Sequence, residues 1–326
     1  MNATQKTTFF IFFAFVCSVS IFLFIMFILP DTEYQQHEEF YSQNLPGKNI
    51  FLFGASQIYA LNPTIISNYL EEKGHNYTVY NLGRGSSDAE DWLRESDLVI
   101  SQNPDVVVFG LSFHTFYSYG RNIVEKPPQS LLAPQKISDL LSTIDIPFNN
   151  GLIDNPKLAI IKTINDFFIK RSEAYTEEPK RPWPNTPFFI YTPEYTEIFA
   201  DPNDLKKDGK LANYKGNEIY PINTNRGYAA LKELVHKFNE HDIEVIIYTT
   251  PHLKTWLEKL PIQQKEIFNS MVENLSNEFS FEVFTLHDKY DALDIWVDHD
   301  HIVSHNNKTN FYSEDVAKII FTRIKG

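Results

Sequence analysis

Cysteine is almost missing from this chain: Cys17 is the only one among 326 residues. A disulfide needs two thiols and a thiolate metal site needs several, so both are excluded beyond the N-terminal segment. The residues that remain, about 300 in number, must be stabilised by burial of apolar side chains. A chain of that length is ample for one large core.

Basic residues are also scarce. Lysine and arginine number 29 against 42 aspartate and glutamate residues, and the formal net charge is −13. Binding to a phosphate backbone needs a basic surface, so this balance excludes nucleic acid as a partner. No pattern in the sequence asks for a cofactor, and we expect none.

Charge is entirely absent from residues 9–29, which read FFIFFAFVCSVSIFLFIMFIL. A helix of that length spans the roughly 30 Å hydrocarbon core of a bilayer. Lys6 precedes this run and acidic residues follow it, which favours a cytoplasmic N-terminus. We therefore expect a single-pass cell-membrane anchor within residues 1–30, a linker over 31–47 and an extracytoplasmic domain over 48–326.

Apolar runs and amphipathic segments alternate along the rest of the chain. The sequence predicts five strands, in the runs NIFLFGAS, YTVYNLG, PDVVVFGLS, IEVIIYTTP and FEVFTLHD. Helical periodicity lies between them, and a last helix is predicted from about Phe311 to Ile324. This alternation predicts an α/β fold, a three-layer α/β/α sandwich of the flavodoxin-like kind with a parallel five-stranded sheet.

The alternation fails between residues 113 and 221. This segment carries the proline-rich stretches EKPPQ and EEPKRPWPNTP and shows no clear strand pattern. We predict a large insertion after the third strand, lying over the carboxyl ends of the strands, where lids usually set the choice of substrate. A solvated appendage is the alternative interpretation.

Small residues follow the first three predicted strands. Ser56, Gly83 and Ser112 stand where those strands end. Because ligands of open α/β sheets bind beyond the carboxyl ends of the strands, all three residues are predicted to face one site. Ser56 is then a candidate nucleophile, although small residues at strand ends also serve simply as turn formers.

The segment WVDHDHIVSH near the C-terminus supplies groups that activate a serine. Asp298 and His301 have the spacing Asp-x-x-His in a loop before the last predicted helix. A serine nucleophile needs an imidazole that takes its proton, and the imidazole needs a carboxylate that fixes its tautomer. An Asp-x-x-His turn can supply both groups from one loop, on the same edge of the sheet as Ser56; an ordinary surface-loop histidine is the alternative interpretation of His301.

The same loop permits a second interpretation, as a metal site. Five of its residues offer nitrogen or oxygen ligands: Asp298, His299, Asp300, His301 and His305. Acidic loops are usually solvated, however, and we expect no metal. His299 and His114, which follows the third strand, are instead candidates for lining the site, with an ordinary buried or rim histidine as the alternative.

The segments quoted above resemble the SGNH (GDSL-like) hydrolase superfamily over most of residues 48–112 and 222–326. FGAS is similar to the nucleophile block, NLGRGSS to the second block, FGLSF to the third and DHDH to the Asp-x-x-His block. The resemblance implies Ser56 as nucleophile, His301 as general base and Asp298 as the residue that orients the base.

The resemblance also implies an oxyanion hole. The amide of Ser56 would contribute, together with a glycine amide of the second block, for which Gly85 is the better match and Gly83 is possible. The third block of the family carries an asparagine whose side chain donates to the oxyanion, and Ser112 stands at that position here. Loss of such a donor costs about 10²–10³ in rate, unless the hydroxyl or a group of the insertion replaces it.

Sequences with GLS in the third block resemble a membrane-anchored branch linked to acylation of surface polymers. That resemblance implies a serine esterase or O-acyltransferase acting on acyl (acetyl) esters of surface glycans, with an acylated glycan or small ester as substrate. A transferase would need a multipass membrane protein as acyl donor, because a single span cannot carry acyl groups across the bilayer. The alternative is a catalytically degenerate SGNH domain that binds a glycan or a partner protein without turnover.

Overall fold

The computed structural model of the chain describes residues 37, 39–85, 87–117, 183–188, 218–304 and 306–325. The chain separates into two compact units, residues 1–44 and 45–326, and the sheet belongs to the second. The predicted membrane anchor, most of the predicted insertion and His305 lie outside the described residues. Within the described ranges, no helix combines the length and the apolar character needed to cross a bilayer.

Five parallel strands form one sheet: β1 (Lys48–Phe53), β2 (Tyr77–Asn81), β3 (Val106–Leu111), β4 (Glu244–Thr249) and β5 (Val283–Thr285). Their spatial order is β2-β1-β3-β4-β5, which is the flavodoxin-like order. Every residue of the central strand β3 is buried, as expected of a parallel strand with both faces covered. The prediction of a five-stranded parallel α/β fold is confirmed.

Within the described ranges of the second unit, six α-helices accompany the strands: α1 (Pro63–Glu72), α2 (Ala89–Ser101), α3 (Arg226–Glu240), α4 (Lys254–Lys259), α5 (Ile262–Phe279) and α6 (Asn310–Ile324). The first three begin at a residue whose side chain accepts a hydrogen bond from the first turn: Asn62, Asp88 and Asn225. Such caps satisfy amides that the helix leaves unpaired, so they define where each crossover turns back along the sheet.

The two faces of the sheet pack against different helices. On one face, apolar side chains of β1, β3 and β4 form a buried cluster with α1 and α6. On the other face, the ring of Phe109 contacts Trp92 of α2 and Phe238 of α3, with centroids 5.4 and 6.2 Å apart. Both faces are thus occupied by core packing, and the carboxyl edge of the sheet is left for the loops that carry polar groups.

The observed elements differ from the predicted ones mainly in length. β5 has three residues, because Leu286 N donates to the side chain of Thr249 (3.1 Å) instead of continuing the ladder. The short helix α4 is not indicated by the sequence pattern, since its six residues bury only Trp256 and give no periodicity to detect.

Candidate active site

Ser56 lies in a tight turn that follows β1. Ala55 leaves the strand in extended conformation, and Ser56–Ile58 form a single 3₁₀ turn. The turn is closed by hydrogen bonds from Ile58 N to Ala55 O (3.2 Å) and from Tyr59 N to Ser56 O (3.0 Å). Ser56 is half-buried, whereas its neighbours on both sides are buried. The turn therefore presents Ser56 at the carboxyl edge of the sheet.

Ile58 anchors this turn against three glycines. A Cβ atom on Gly54, Gly83 or Gly110 would lie 2.6 to 2.7 Å from a side-chain carbon of Ile58. The glycines come from the ends of β1, β2 and β3, and Ile58 is completely buried. A larger side chain at any of these positions would displace Ile58, so the close approach that glycine permits fixes the position of Ser56.

His301 and Asp298 lie in a small hairpin that follows β5. An antiparallel bridge between Trp296 and Ile302 forms its base. At its tip, Asp298 Oδ1 accepts hydrogen bonds from the backbone N–H groups of Asp300 (3.0 Å) and His301 (2.9 Å). The Asp-x-x-His segment is thus a turn closed by its own carboxylate.

The structure brings the three predicted triad residues into hydrogen-bonding distance. His301 Nε2 lies 2.7 Å from Ser56 Oγ. On the other side of the ring, His301 Nδ1 lies 2.9 Å from both carboxylate oxygens of Asp298. A carboxylate only accepts, so Nδ1 carries a proton and Nε2 faces the serine, which is the arrangement that a nucleophilic serine needs.

A second carboxylate contacts the same imidazole. Asp300 Oδ1 is 3.0 Å from His301 Nδ1. Asp300 Oδ2 accepts a hydrogen bond from Gln57 Nε2 (2.8 Å) and lies 2.9 Å from His114 Nε2. The Asp300 side chain is 3% exposed, against 36% for Asp298. His301 is therefore held between a partly exposed carboxylate and a buried one.

Electrostatics couple His301 to both carboxylates. Burial lowers the pKa of His301, but the charge of Asp300 and the hydrogen bonds to Asp298 and Asp300 outweigh it, so that pKa lies well above its usual range. Burial raises the pKa of Asp300, but the charge of His301 and the hydrogen bond from His114 outweigh it, so that pKa lies well below its usual range. Both shifts favour the charged pair of imidazolium and carboxylate, and His301 acts as a base only when its Nε2 has lost the proton.

The backbone N–H groups of Ser56 and Gly85 are the candidates for an oxyanion hole. Neither Ser56 N nor Gly85 N donates a hydrogen bond to a group in the described part of the chain. Gly83 N, the other glycine candidate, donates to Asn81 Oδ1 at 2.9 Å. Asn81 Nδ2 in turn donates to the carbonyl of Ile58, also at 2.9 Å. The Gly83 amide therefore serves the turn, which leaves Gly85 as the glycine candidate for the oxyanion hole.

Ser112 follows β3 at the same edge and is 1% exposed. Its backbone is fixed, because Ser112 N donates to Thr115 Oγ1 and Thr115 N donates to Ser112 O, both at 3.1 Å. Its hydroxyl is buried and finds no hydrogen-bond partner among the described residues. Burying a hydroxyl without a hydrogen-bond partner lowers the stability of the fold, and its O–H group can still donate to a ligand.

The two histidines predicted to line the site both face Asp300. His114 Nε2 is 2.9 Å from Asp300 Oδ2, and His299 Nε2 is 3.6 Å from Asp300 Oδ1. Their side chains are 23% and 31% exposed. Both rings therefore lie at the rim of the site, and only His114 is within hydrogen-bonding distance of the carboxylate.

The alternative metal site draws on the same groups. Asp298, Asp300 and His301 each place one ligand atom within 4.8 Å of the others. In the arrangement described above, both carboxylates already face the proton on His301 Nδ1, and a cation there would take the place of that proton. His305, the other ligand of this interpretation beside His299, lies outside the described residues.

Two further histidines, which the sequence did not single out, lie close together: His252 is buried and His287 is half-buried. His252 Nδ1 donates to Thr250 O (2.9 Å), and its ring stacks on Trp256 with centroids 4.8 Å apart. The ring of His287 lies 5.3 Å from that of His252. Burial lowers the pKa of His287 to about 4 and that of His252 well below its usual range. Both imidazoles are therefore neutral near pH 7.

Sequence reasoning missed three contributors to the site. Asp300 was considered only as a metal ligand, although the DHDH segment places a second carboxylate directly before His301. Gln57 directly follows Ser56, and this position beside the candidate nucleophile is the signal that could have indicated it. Asn81, which ends β2, gave no signal, because the three hydrogen bonds of its side chain reach groups far along the chain or two residues away.

No family model matches this chain, and no curated protein matches it. Among solved structures, the chain is similar to a crystal structure of the psychrotrophic esterase EstA from Pseudoalteromonas sp., inhibited by monoethylphosphonate. The two chains share 10% sequence identity with a TM-score of 0.38, over 86% of this chain and 97% of the esterase.

Proposed function

We propose that this protein is a serine hydrolase of ester bonds. Ser56 is the nucleophile, His301 is the general base and acid, and Asp298 orients the imidazole. The observation that carries the proposal is the 2.7 Å contact between Ser56 Oγ and His301 Nε2, on an imidazole whose Nδ1 faces carboxylates. Ser56 is half-buried, so its hydroxyl is open to an ester that enters from the carboxyl edge of the sheet.

The reaction follows from these positions. Ser56 Oγ attacks the ester carbonyl carbon while His301 Nε2 takes the hydroxyl proton. The N–H groups of Ser56 and Gly85 hold the oxyanion, and the Ser112 hydroxyl is the third donor. His301 returns the proton to the leaving alcohol, and the acyl group remains on Ser56 as an ester. Water activated by His301 then releases the acid, or a sugar hydroxyl takes the acyl group in place of water.

The resting charge of His301 sets the pH dependence of this reaction. Only the neutral imidazole takes a proton from serine, and the pKa of His301 is held well above its usual value of 6.5. The rate of ester cleavage is therefore expected to rise with pH above that value and to level off once the imidazole is neutral. Initial rates on a chromogenic acetyl ester across the alkaline range measure this directly.

We further propose that the substrates are acyl esters, in particular acetyl esters, of surface glycans. The protein would act outside the cell membrane, held there by an anchor in residues 1–30. What supports this is the uncharged run over residues 9–29 and the GLS block at Ser112. If a sugar hydroxyl rather than water is the acceptor, a multipass membrane protein is the expected acyl donor.

The experiment that tests the hydrolase is covalent labelling by a fluorophosphonate probe. The full-length protein in membranes is treated with the probe, beside Ser56→Ala and His301→Ala. His236→Ala is the matched control, because the His236 side chain is 61% exposed and lies in α3 away from the serine. Labelling of the wild type and of the control, but of neither active-site variant, is the expected result.

The opposite outcome is equally informative. A wild-type protein that unfolds cooperatively but takes up no probe contradicts the hydrolase proposal and favours the degenerate, ligand-binding alternative. A chelator added in parallel addresses the metal interpretation, because loss of labelling on chelation would show that a cation rather than a proton organises Asp298, Asp300 and His301.

A further inference from the structure

Two hydrogen bonds run side by side between the turn that follows β1 and the hairpin that follows β5. In the first, Ser56 Oγ lies 2.7 Å from His301 Nε2. In the second, Gln57 Nε2 donates to Asp300 Oδ2 at 2.8 Å. Consecutive residues of the Ser56 turn therefore face consecutive residues of the His301 hairpin, and only the first pair contains the nucleophile and the base.

The second of these hydrogen bonds is buried. Gln57 is 5% exposed and Asp300 is 3% exposed. The other polar atom of the Gln57 amide, Oε1, is also buried and has no hydrogen-bond partner among the described residues. A buried amide with one atom unpaired lowers stability, and an apolar side chain of similar shape avoids that loss. Core packing alone therefore does not explain a glutamine at this position.

Asp300 connects Gln57 to the base. Its other carboxylate oxygen, Oδ1, is 3.0 Å from His301 Nδ1. His114 Nε2 also lies 2.9 Å from Asp300 Oδ2, but His114 follows β3 and does not belong to the Ser56 turn. Gln57 is thus the residue that fixes the position of Asp300, and through it that of His301, relative to the nucleophile.

The proposed reaction affects the two hydrogen bonds differently. Once Ser56 is acylated, its Oγ is an ester oxygen without a proton, so it no longer donates to His301 Nε2. Gln57 and Asp300 make and break no covalent bond, so their hydrogen bond persists in the acyl-enzyme. His301 must nevertheless stay beside the acyl group, because its Nε2 has to take a proton from the water that attacks the carbonyl carbon.

We propose that Gln57 is a positioning residue for deacylation, which holds the His301 hairpin against the Ser56 turn while the nucleophile is acylated. In that step water adds to the carbonyl carbon and His301 Nε2 takes its proton. The bond between Ser56 Oγ and the carbonyl carbon then breaks, Oγ receives the proton from His301, and the acid leaves. The inference rests on the proposed function, and it predicts that loss of Gln57 slows deacylation more than acylation.

The test measures the two steps separately in the full-length protein, for the wild type and for Gln57→Met. Methionine is unbranched and of similar length, but it has no donor for Asp300. The value of kcat/KM on a chromogenic acetyl ester reports acylation. Acid quenching followed by intact-mass measurement gives the fraction of acetyl-enzyme at steady state. After the ester is removed, the same measurement gives the rate at which the acetyl-enzyme decays, which is deacylation.

Ser313→Ala is the matched control. Ser313 is completely buried in α6, and its Oγ accepts a hydrogen bond from the backbone N–H group of Asn62 at 2.9 Å. This variant also loses one hydrogen bond close to the Ser56 turn in the sequence, but that bond does not reach the His301 hairpin. Gln57→Leu is the second test variant, so that the outcome does not depend on how methionine packs. Thermal unfolding reports how far each variant is destabilised.

We expect the two steps to respond unequally. Gln57→Met should slow deacylation about tenfold and lower kcat/KM by no more than about threefold, because during acylation the hydrogen bond between Ser56 and His301 still aligns the base. The fraction of acetyl-enzyme at steady state therefore rises. Ser313→Ala should change both steps by the same factor, about twofold or less, and leave that fraction as in the wild type.

Three results would overturn the inference. One is a deacylation rate in Gln57→Met within about twofold of the wild type. Another is an equal loss in both steps, which would make Gln57 a structural residue of the site. The third is a rise of the acetyl-enzyme fraction in Ser313→Ala as large as in Gln57→Met, since general destabilisation would then produce the same effect.

Failure of the proposed function looks different from failure of this inference. A wild type that takes up no fluorophosphonate probe and forms no acetyl-enzyme contradicts the hydrolase proposal, and the role of Gln57 falls with it. A wild type that is labelled and acetylated, beside a Gln57→Met variant that deacylates at the wild-type rate, contradicts the role of Gln57 alone.

Discussion

Two pairs of histidines lie close together in this protein and behave in opposite ways. His301 and His114 face carboxylates, whereas His252 and His287 face aromatic rings and each other. Only 12% of the His301 side chain is exposed, and yet its pKa lies well above the usual range. The pKa values of His252 and His287 lie below it.

The difference shows that burial alone does not decide the charge of an imidazole. Loss of hydration opposes the charged form of His252, His287 and His301, and it prevails only at His252 and His287, where no carboxylate is in contact. His301 is therefore placed for proton transfer, and the ring-facing pair for packing. Substitutions that remove the carboxylate contacts of the first pair or the ring contacts of the second should therefore have different effects.

The largest effect is expected from removing the base itself. His301→Gln should lower the rate of ester cleavage by about 10⁴-fold or more, because no other described group contacts Ser56 Oγ as a base. The unfolding temperature should also fall, because the buried Asp300 loses a charged partner, so the rate is compared at equal amounts of folded protein. A loss of activity that instead tracks a loss of folded protein would show that His301 belongs with the packing pair.

Removing one of the two carboxylates that contact His301 should lower turnover less. Asp298→Asn keeps the side-chain oxygen that accepts the backbone N–H groups of Asp300 and His301, so the turn is retained. We expect a loss of about 10²-fold in turnover, smaller than a sole orienting carboxylate would give, because Asp300 still holds Nδ1. Steady-state kinetics on one acetyl ester measure it, and a loss equal to that of His301→Gln would show that Asp300 does not assist.

Removing the aromatic ring that stacks on His252 should lower the stability of the protein. Trp256 is 1% exposed and stacks on His252 at 4.8 Å and on His299 at 5.6 Å. Trp256→Ala should lower the free energy of unfolding by about 3–5 kcal/mol, and Trp256→Phe by clearly less. Denaturant titration measures both. An alanine variant as stable as the wild type would show that the stack is not part of the core.

The smallest effect is a pH dependence of stability due to His287. Its pKa is about 4 when folded and 6.5 as the reference value, so the unfolded chain binds the extra proton between those limits. The free energy of unfolding should fall as the pH drops from 6.5 to 4, by up to about 3 kcal/mol from this residue. His287→Phe should flatten the profile over that window, whereas His236→Gln, at an exposed site, should not.

The sequence predicted the parts of this protein that depend on neighbours along the chain. The alternation of strands and helices is such a signal, and so is the Asp-x-x-His spacing, which closes into one turn. Ser56 and Ser112 were also placed correctly at the carboxyl edge of the sheet, because parallel strands bring all of their carboxyl ends to one side.

The rest depends on contacts that spacing does not encode. Asp298 and Asp300 both precede His301 in the sequence. Only the fold decides that Asp300 is the buried one and that Gln57, 243 positions away, donates to it. The role of Gly83 was open for a similar reason. The Gly83 N–H group donates to Asn81 Oδ1. A side chain on Gly83 would also collide with Ile58, so both features of this glycine support the turn that contains Ile58.

The contact between Ser56 and His301 joins residues 245 positions apart. During translation the turn with Ser56 is therefore made well before the hairpin with His301. In the proposed mechanism, the nascent chain carries a serine of ordinary reactivity until that hairpin has been added. A product truncated between β5 and the hairpin would contain all five strands and no activated nucleophile, so the proposed esterase activity would report the hairpin and not merely a folded sheet.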